Sequence, residues 1–225
     1  MATHLISLML GTIVALLPIA NPFSTAVLFL SITKGDSKAQ RRRQALRGCV
    51  YVFCILVSFL IAGRLIMEFF GISIPGLRIA GGLMVARIGM GMLKPHADES
   101  KTKAMESEAK EKDDISFTPL AMPSMSGPGA IAVTIGLATQ TDGALDFVAI
   151  ILGILIVTVI CWLVLAASTR VVDFLGENGM NALCRIMGFL LLCVGVQFIV
   201  NGIVGIISDP DVMKMFIEAY RSTQA

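Results

Sequence analysis

The chain has 225 residues, 56% hydrophobic and 15% charged, and a net charge of +2; its mean hydropathy is +0.82. Soluble domains carry about 45–50% apolar and about 25% charged residues, so a large water-soluble core is excluded. So small a net charge gives no footing for nucleic acid.

A spanning helix needs about 20 mostly apolar residues, and six stretches qualify, at roughly 5–33, 48–70, 76–93, 118–140, 146–169 and 183–207. None alternates apolar and polar residues as a barrel strand does. The chain therefore reads as an all-α membrane protein.

The first stretch has no basic n-region or small-residue cleavage site ahead of it, so it is expected to stay in the mature protein. It is interrupted by Pro18-Ile19-Ala20-Asn21-Pro22-Phe23-Ser24. The loop that follows holds Lys34, Lys38, Arg41, Arg42, Arg43 and Arg47. The second stretch closes on Glu68-Phe69-Phe70-Gly71, and the third opens through Arg78-Ile79-Ala80-Gly81 and carries Gly82 and Gly89 seven apart. From Lys94 to Asp114 the chain is rich in Lys, Glu, Ser and Ala. Such a segment buries too little apolar surface to fold alone, and reads as a cytoplasmic linker with transient helix supported by Glu106–Lys110 and Glu108–Lys112.

The fourth stretch is interrupted in its turn, by Pro123-Ser124-Met125-Ser126-Gly127-Pro128-Gly129. Asn21 and Gly127, Pro22 and Pro128, Ala26 and Ala132, Val27 and Val133, Thr33 and Thr139, and Asp36 and Asp142 stand in one register. Beyond the fifth stretch, Asp173-Phe174-Leu175-Gly176 echoes residues 68–71, and Arg185-Ile186-Met187-Gly188 echoes 78–81. Gly188, Gly195 and Gly202 form a second glycine stripe. After Asp209, Val212, Met215, Phe216 and Ala219 share one helical face, as a short interfacial helix or a disordered tail would allow.

Because each repeat holds an odd number of spans, the second copy must enter from the opposite face: a 3+3 inverted-topology repeat whose first and fourth helices are broken at proline pairs. The expected division is 1–93, first repeat; 94–117, linker; 118–208, second repeat; 209–225, extracytoplasmic tail. Lys and Arg gather after the first stretch and in the linker, while 71–75 and 140–145 carry none. Both termini should face away from the cytoplasm.

Proline inside a helix removes a backbone hydrogen bond and clashes with the preceding turn, so paired prolines with Asn or Gly between them should unwind the segment rather than merely kink it. Pro22 and Pro128 would then open fresh half-helices with Asn21 and Gly127 as N-caps. Half-helix N-termini attract a carboxylate, and the freed carbonyls and Asn21 attract an ammonium, which together suit a small zwitterion. Irregular backbone survives at membrane depth only where it faces protein or a water-filled cavity, and paired interruptions are where transporters hold substrate. The candidate substrate-binding residues are Ala20, Asn21, Ser24 and Thr25 in one half, and Ser124, Ser126, Gly127 and Gly129 in the other.

Elsewhere the expectations are plainer. Cys49, Cys54, Cys161, Cys184 and Cys193 show no paired spacing and read as small buried packing residues, with no metal or other cofactor. The glycine stripes read as helix-packing surfaces, and Arg78, Arg87 and Arg185 as snorkelling side chains. Glu68 and Asp173 each follow an arginine by one turn (Arg64, Arg170), which suggests interfacial ion pairs. Ser124 and Ser126 lack a base within reach, since His4 and His96 lie at the chain end and in the linker; an enzyme is not expected.

Four stretches in order, 16–23 (Leu-Leu-Pro-Ile-Ala-Asn-Pro-Phe), 71–82 (Gly-Ile-Ser-Ile-Pro-Gly-Leu-Arg-Ile-Ala-Gly-Gly), 119–129 (Pro-Leu-Ala-Met-Pro-Ser-Met-Ser-Gly-Pro-Gly) and 185–190 (Arg-Ile-Met-Gly-Phe-Leu), resemble the MarC family of inner-membrane proteins, which includes the SnatA amino-acid transporters. The resemblance covers the chain apart from the linker and tail. It implies a bacterial or archaeal inner-membrane protein of six spans and, for the SnatA members, transport of glycine, alanine and other small neutral amino acids. The family's discontinuous-helix motifs fall on Pro18–Thr25 and Pro123–Ala130. The family's historical label, multiple antibiotic resistance, would imply drug efflux, but these breaks are lined by Gly, Ala and Ser rather than aromatics.

The expectation is a secondary transporter of small neutral amino acids working by alternating access in the membrane lipid. A coupling ion, Na+ or H+, and the oligomeric state are left open. The alternatives are efflux of another small metabolite or drug, and a membrane scaffold or regulator.

Overall fold

The structure, a computed structural model, describes residues 1–33, 35–93, 114–139, 141, 143–210 and 214. The expectations placed on Lys34, on 94–113 with His96, on Asp142 and on the tail face of Val212, Met215, Phe216 and Ala219 lie outside these residues.

Among the described residues the chain is all helix. α1 (Ala2–Ala20) runs through Pro18 without ending. The backbone leaves the helix at one residue, Asn21, with φ 39° and ψ 65°, before α2 (Pro22–Ile32) begins. Asn21 tolerates this left-handed conformation because its short amide bonds locally: Oδ1 accepts the Ser24 N–H at 3.3 Å. Pro22 takes the first helical position, where a missing N–H costs nothing. The unwinding expected from Pro18 to Pro22 is thus confined to Asn21. A proline deletes one hydrogen bond, but the helix stops only where the backbone changes region, and α1 and α2 together still form one apolar run, Ala2–Ile32.

The second interruption is longer. α5 (Ser116–Met125) is wound as a π-helix, with the Leu120 N–H on the Ile115 carbonyl at 3.2 Å and the Ser126 N–H on that of Ala121 at 2.9 Å. Thr118 and Met122 are extended inside it. Each precedes a proline, whose ring pushes its predecessor out of the α region. Gly127 is also extended, and Pro128 opens α6 (Pro128–Ala138), bent by 65° from α5.

α3 (Lys38–Phe70) starts well before its apolar stretch, capped by Ser37, whose Oγ accepts the Gln40 N–H at 3.2 Å. Lys, Gln and Arg are good helix formers, and this end need not enter lipid. α4 spans Ile74–Leu93 and α7 spans Ala144–Ala166. α8 (Ser168–Ile207) breaks at Gly176, φ 64° and ψ 177°. Gly71, which ends α3, also has φ 64°, so the echoed motifs 68–71 and 173–176 both end on a glycine in a region that L side chains rarely adopt. Five runs are long and apolar enough to cross a bilayer (Ala2–Ile32, Lys38–Phe70, Ile74–Leu93, Ala144–Ala166 and Asn178–Ile207), and the bent α5–α6 pair makes a sixth.

The packing crosses between halves. α3 lies on α5 and α6, whereas α7 lies on α1 and α2. α4 packs on α6 and α8 packs on α2, while α3 meets α7 and α4 meets α8. Gly63 of α3 abuts Ile135 of α6, and Gly153 of α7 abuts Thr12 of α1. One continuous core results, with Leu16, Phe29, Leu56, Leu120, Val133, Ile154 and Leu191 all buried. The most extensive contact is α4 on α8. Gly82 faces Gly195, Gly89 faces Gly188 and Pro75 faces Gly202. Numbering rises by seven along one helix as it falls by seven along the other, so the two stripes lie antiparallel and backbone to backbone, the close approach small residues allow in membranes.

Two expectations need correcting, on the cysteines and on the Arg170–Asp173 pair. Cys49 and Cys161 are buried, but Cys54 of α3 and Cys193 of α8 are exposed, and Cys184 is intermediate. Arg64 and Glu68 pair at 3.4 Å, whereas among the described residues Asp173 forms no ion pair with Arg170. Arg87 and Arg185 are exposed and Arg78 is half-buried.

Candidate functional site

The two interruptions lie side by side in the bundle. A Cβ placed on Gly129 would sit 3.3 Å from Val85 Cγ2, 3.6 Å from Ile88 Cδ1 and 3.9 Å from Ile19 Cγ2, so the start of α6 touches both the end of α1 and the face of α4. α2 likewise packs on α5. α4 closes the group: the Asn21 Nδ2 lies 3.3 Å from Met92 Sδ.

Of the candidate residues, Ala20, Asn21, Thr25, Ser126 and Gly129 are buried, while Ser24, Ser124 and Gly127 are half-buried. Two of the hydroxyls already have local work. Thr25 Oγ1 donates to the Ala20 carbonyl at 3.4 Å, and Ser126 Oγ to the Ala121 carbonyl at 2.8 Å. In both cases a hydroxyl five residues on occupies a carbonyl beside a helix break. The Ser24 and Ser124 hydroxyls make no hydrogen bond among the described residues. α6 has no side-chain cap, so the N–H groups of Gly129 and Ala130 stand among the orphan donors of a helix N-terminus. Gly127 has no room for a side chain, since a Cβ there would fall 2.8 Å from the Pro123 carbonyl oxygen.

Among the described residues no charged side chain is buried beside the breaks. Among the described residues the buried carboxylate is Asp146, in the first turn of α7, with His4 Nδ1 3.4 Å from it. That pair ties the start of α1 to the start of α7, far from Ser124 and Ser126. Sequence reading missed it, although both residues sit at helix starts assigned to the same membrane face. Met92 was also missed, because nothing in its sequence neighbourhood distinguishes it. Among the described residues no three His, Cys, Asp or Glu side chains gather to hold a metal.

A profile described as MarC family integral membrane protein matches residues 6–207. The chain belongs to the MarC family. The inner membrane protein MarC of Citrobacter koseri is 47% identical over 206 residues, covering 87% of this chain and 93% of that protein. MarC of Escherichia coli O1:K1 is 48% identical, and that of E. coli K12 is 47% identical, over the same shares. No solved structure matches the chain. With its apolar helices, this MarC-family chain is a multi-pass inner-membrane protein.

Proposed function

We propose that this MarC-family protein carries small neutral amino acids across the inner membrane by alternating access, holding them between the two interrupted helices. One observation carries the reading. Each interruption is followed by a half-helix of 11 residues, about 16 Å long at about 1.5 Å per residue, which is half of a hydrocarbon core about 30 Å thick. Two breaks at mid-depth, touching through Ile19 and Gly129, are where a transporter holds its substrate.

The chemistry at the breaks suits an amino acid. The uncapped N–H groups of Gly129 and Ala130 take the carboxylate, and carbonyls at the end of α1 take the ammonium. The free Ser24 and Ser124 hydroxyls add donors, and the tight packing around Gly127 and Gly129 restricts the ligand to a small one. Among the described residues no charged side chain is buried there to balance a net charge, which favours a substrate whose charges sum to zero. Burial of Asn21, Ser126 and Gly129 means that helices must part for a substrate to enter, as alternating access requires.

The 3+3 inverted repeat belongs to the same proposal. Exchanging the halves turns the α3–α6 contact into α7 on α1–α2 and α4–α6 into α8–α2, and it maps the α3–α7 and α4–α8 contacts onto themselves. The gathering of Lys and Arg on one side supports, in this reading, both termini outside the cytoplasm. A phosphatase fused after Ala225 should be active, and a green fluorescent protein dark; the reverse would overturn the orientation.

The deciding experiment is calorimetric titration of detergent-purified protein with glycine and alanine. Binding of both, absent from Gly127→Leu protein that still elutes as a folded species, supports the proposal. Folded wild-type protein that binds neither would sink the amino-acid assignment.

A further inference from the structure

A second constellation lies at the opposite end of α3, away from the breaks. A cleft of about 490 Å³ is lined by Ala39, Gln40, Arg43, Gln44, Arg47 and Asp114, a size that accommodates a small ligand. Its charges are arranged by sign. Arg47 Nη1 pairs with Asp114 Oδ2 at 2.9 Å, whereas Arg43 has no anionic partner among the described residues. Hydrogen bonding from Ser116, together with the Arg47 guanidinium, holds the Asp114 carboxyl below the usual carboxylate range, so it is an anion at neutral pH. Gln44 is 6% exposed, and its Oε1 is buried without a hydrogen-bond partner. A buried acceptor left without a donor keeps its desolvation penalty uncompensated, and so points to an absent donor.

The depth of the cleft narrows the ligand class. α3 has 33 residues, about 50 Å of helix, and about 20 of them span the hydrocarbon. Counted back from Phe70, the hydrocarbon ends near Tyr51, whose ring packs edge-on against Phe117 at 5.5 Å between centroids. Trp162, with Arg42 5.7 Å above its ring, stands level with Arg42 and Arg43 on the α7 side; such aromatics sit at membrane interfaces. Arg47 is one turn above Tyr51 and Arg43 two turns above, which puts the cleft in the headgroup layer.

We propose that this cleft binds a phosphodiester headgroup that also carries a hydrogen-bond donor, the chemistry of an aminoalkyl phospholipid such as phosphatidylethanolamine. The planar Arg43 fork receives the phosphate oxygens. The ammonium donates to Gln44 Oε1 and to the outer face of the Asp114 carboxylate. The site is independent of the substrate assigned to the paired breaks. Basic pockets on the cytoplasmic side of helix bundles are suited to lipid headgroups, and the paired acceptors here add a requirement for N–H or O–H donors.

The test is the thermal unfolding midpoint of full-length protein in detergent, titrated separately with phosphatidylethanolamine, phosphatidylcholine, glycerophosphoethanolamine and inorganic phosphate. Phosphatidylethanolamine should raise the midpoint, and phosphatidylcholine, whose nitrogen has no hydrogen to donate, should act several-fold more weakly. Arg43→Gln should raise the half-saturating concentration about tenfold, the order expected for losing one charge-assisted contact, while Lys38→Gln, outside the cleft, titrates as wild type. Equal responses to the two lipids, or an unchanged Arg43→Gln titration, would overturn the proposal. A response to glycerophosphoethanolamine or phosphate as large as that to the lipid would assign the cleft to a soluble anion and overturn the lipid source. Should Arg43→Gln not fold, native mass spectrometry of the wild type decides: retention of phosphatidylethanolamine over phosphatidylcholine supports the site, and equal retention rejects it.

Discussion

Gly195→Leu is expected to abolish accumulation of folded protein. A Cβ at Gly195 would lie 2.5 Å from the Ala86 backbone nitrogen and 2.7 Å from the Gly82 carbonyl oxygen. Neither atom is the tip of a flexible side chain, so the clash is relieved only by moving α8 off α4. That contact is the most extensive in the protein, and its opening uncovers the Gly82, Gly89 and Gly188 faces together. Overpacking a well-packed core ordinarily costs about 1–3 kcal/mol; here two backbones collide, and the cost lies at or beyond the top of that range. Size-exclusion chromatography of detergent-purified protein should show loss of the monodisperse peak. Gly91→Leu is the matched control, since nothing lies within 4 Å of a Cβ added there, and its peak should survive. A normal Gly195→Leu peak would refute the backbone-to-backbone contact.

Asn21 gives the second large effect, and two substitutions separate its roles. Asn21→Leu loses the bond to the Ser24 N–H, about 1 kcal/mol for an N-cap, and forces a bulky residue into the left-handed region at about 1–2 kcal/mol. The variant should therefore be less stable by about 2–3 kcal/mol and should bind neither glycine nor alanine. Asn21→Gly keeps the backbone conformation and costs only a few tenths of a kcal/mol as a cap, so it should fold like wild type. If the amide itself meets substrate, Asn21→Gly loses amino-acid binding although its midpoint of unfolding is nearly unchanged. Wild-type affinity in Asn21→Gly would reduce Asn21 to a shaping residue and remove it from the binding set.

The spans were legible because a bilayer demands about 20 apolar residues in a row, a pattern that survives any tertiary detail. Their ends were less so. Lys38 to Arg47 is helical although charged, because helix propensity and lipid solubility are different properties. The positions of both interruptions could be read from Pro22 and Pro128, but their shapes differ for local reasons. Asn21 supplies a left-handed residue at the first, whereas Thr118 and Met122, each ahead of a proline, stretch the second. That Thr25 and Ser126 spend their hydroxyl hydrogens on Ala20 and Ala121 was not readable, since it depends on which carbonyls the breaks leave free. Nor was the Asn21–Met92 contact, which joins residues far apart in the chain.

The exchange of partners between halves also constrains how the protein is made. When the first three spans leave the ribosome, the face of α3 around Gly63 and the stripe of α4 at Gly82 and Gly89 have nothing to pack on, because Ile135, Gly195 and Gly188 are not yet synthesised. A newborn first half is therefore three inserted helices joined by little more than the Asn21–Met92 contact. Insertion must run to the last span before consolidation begins, and a chain stopped after Leu93 would be a substrate for membrane quality control rather than a stable half-protein.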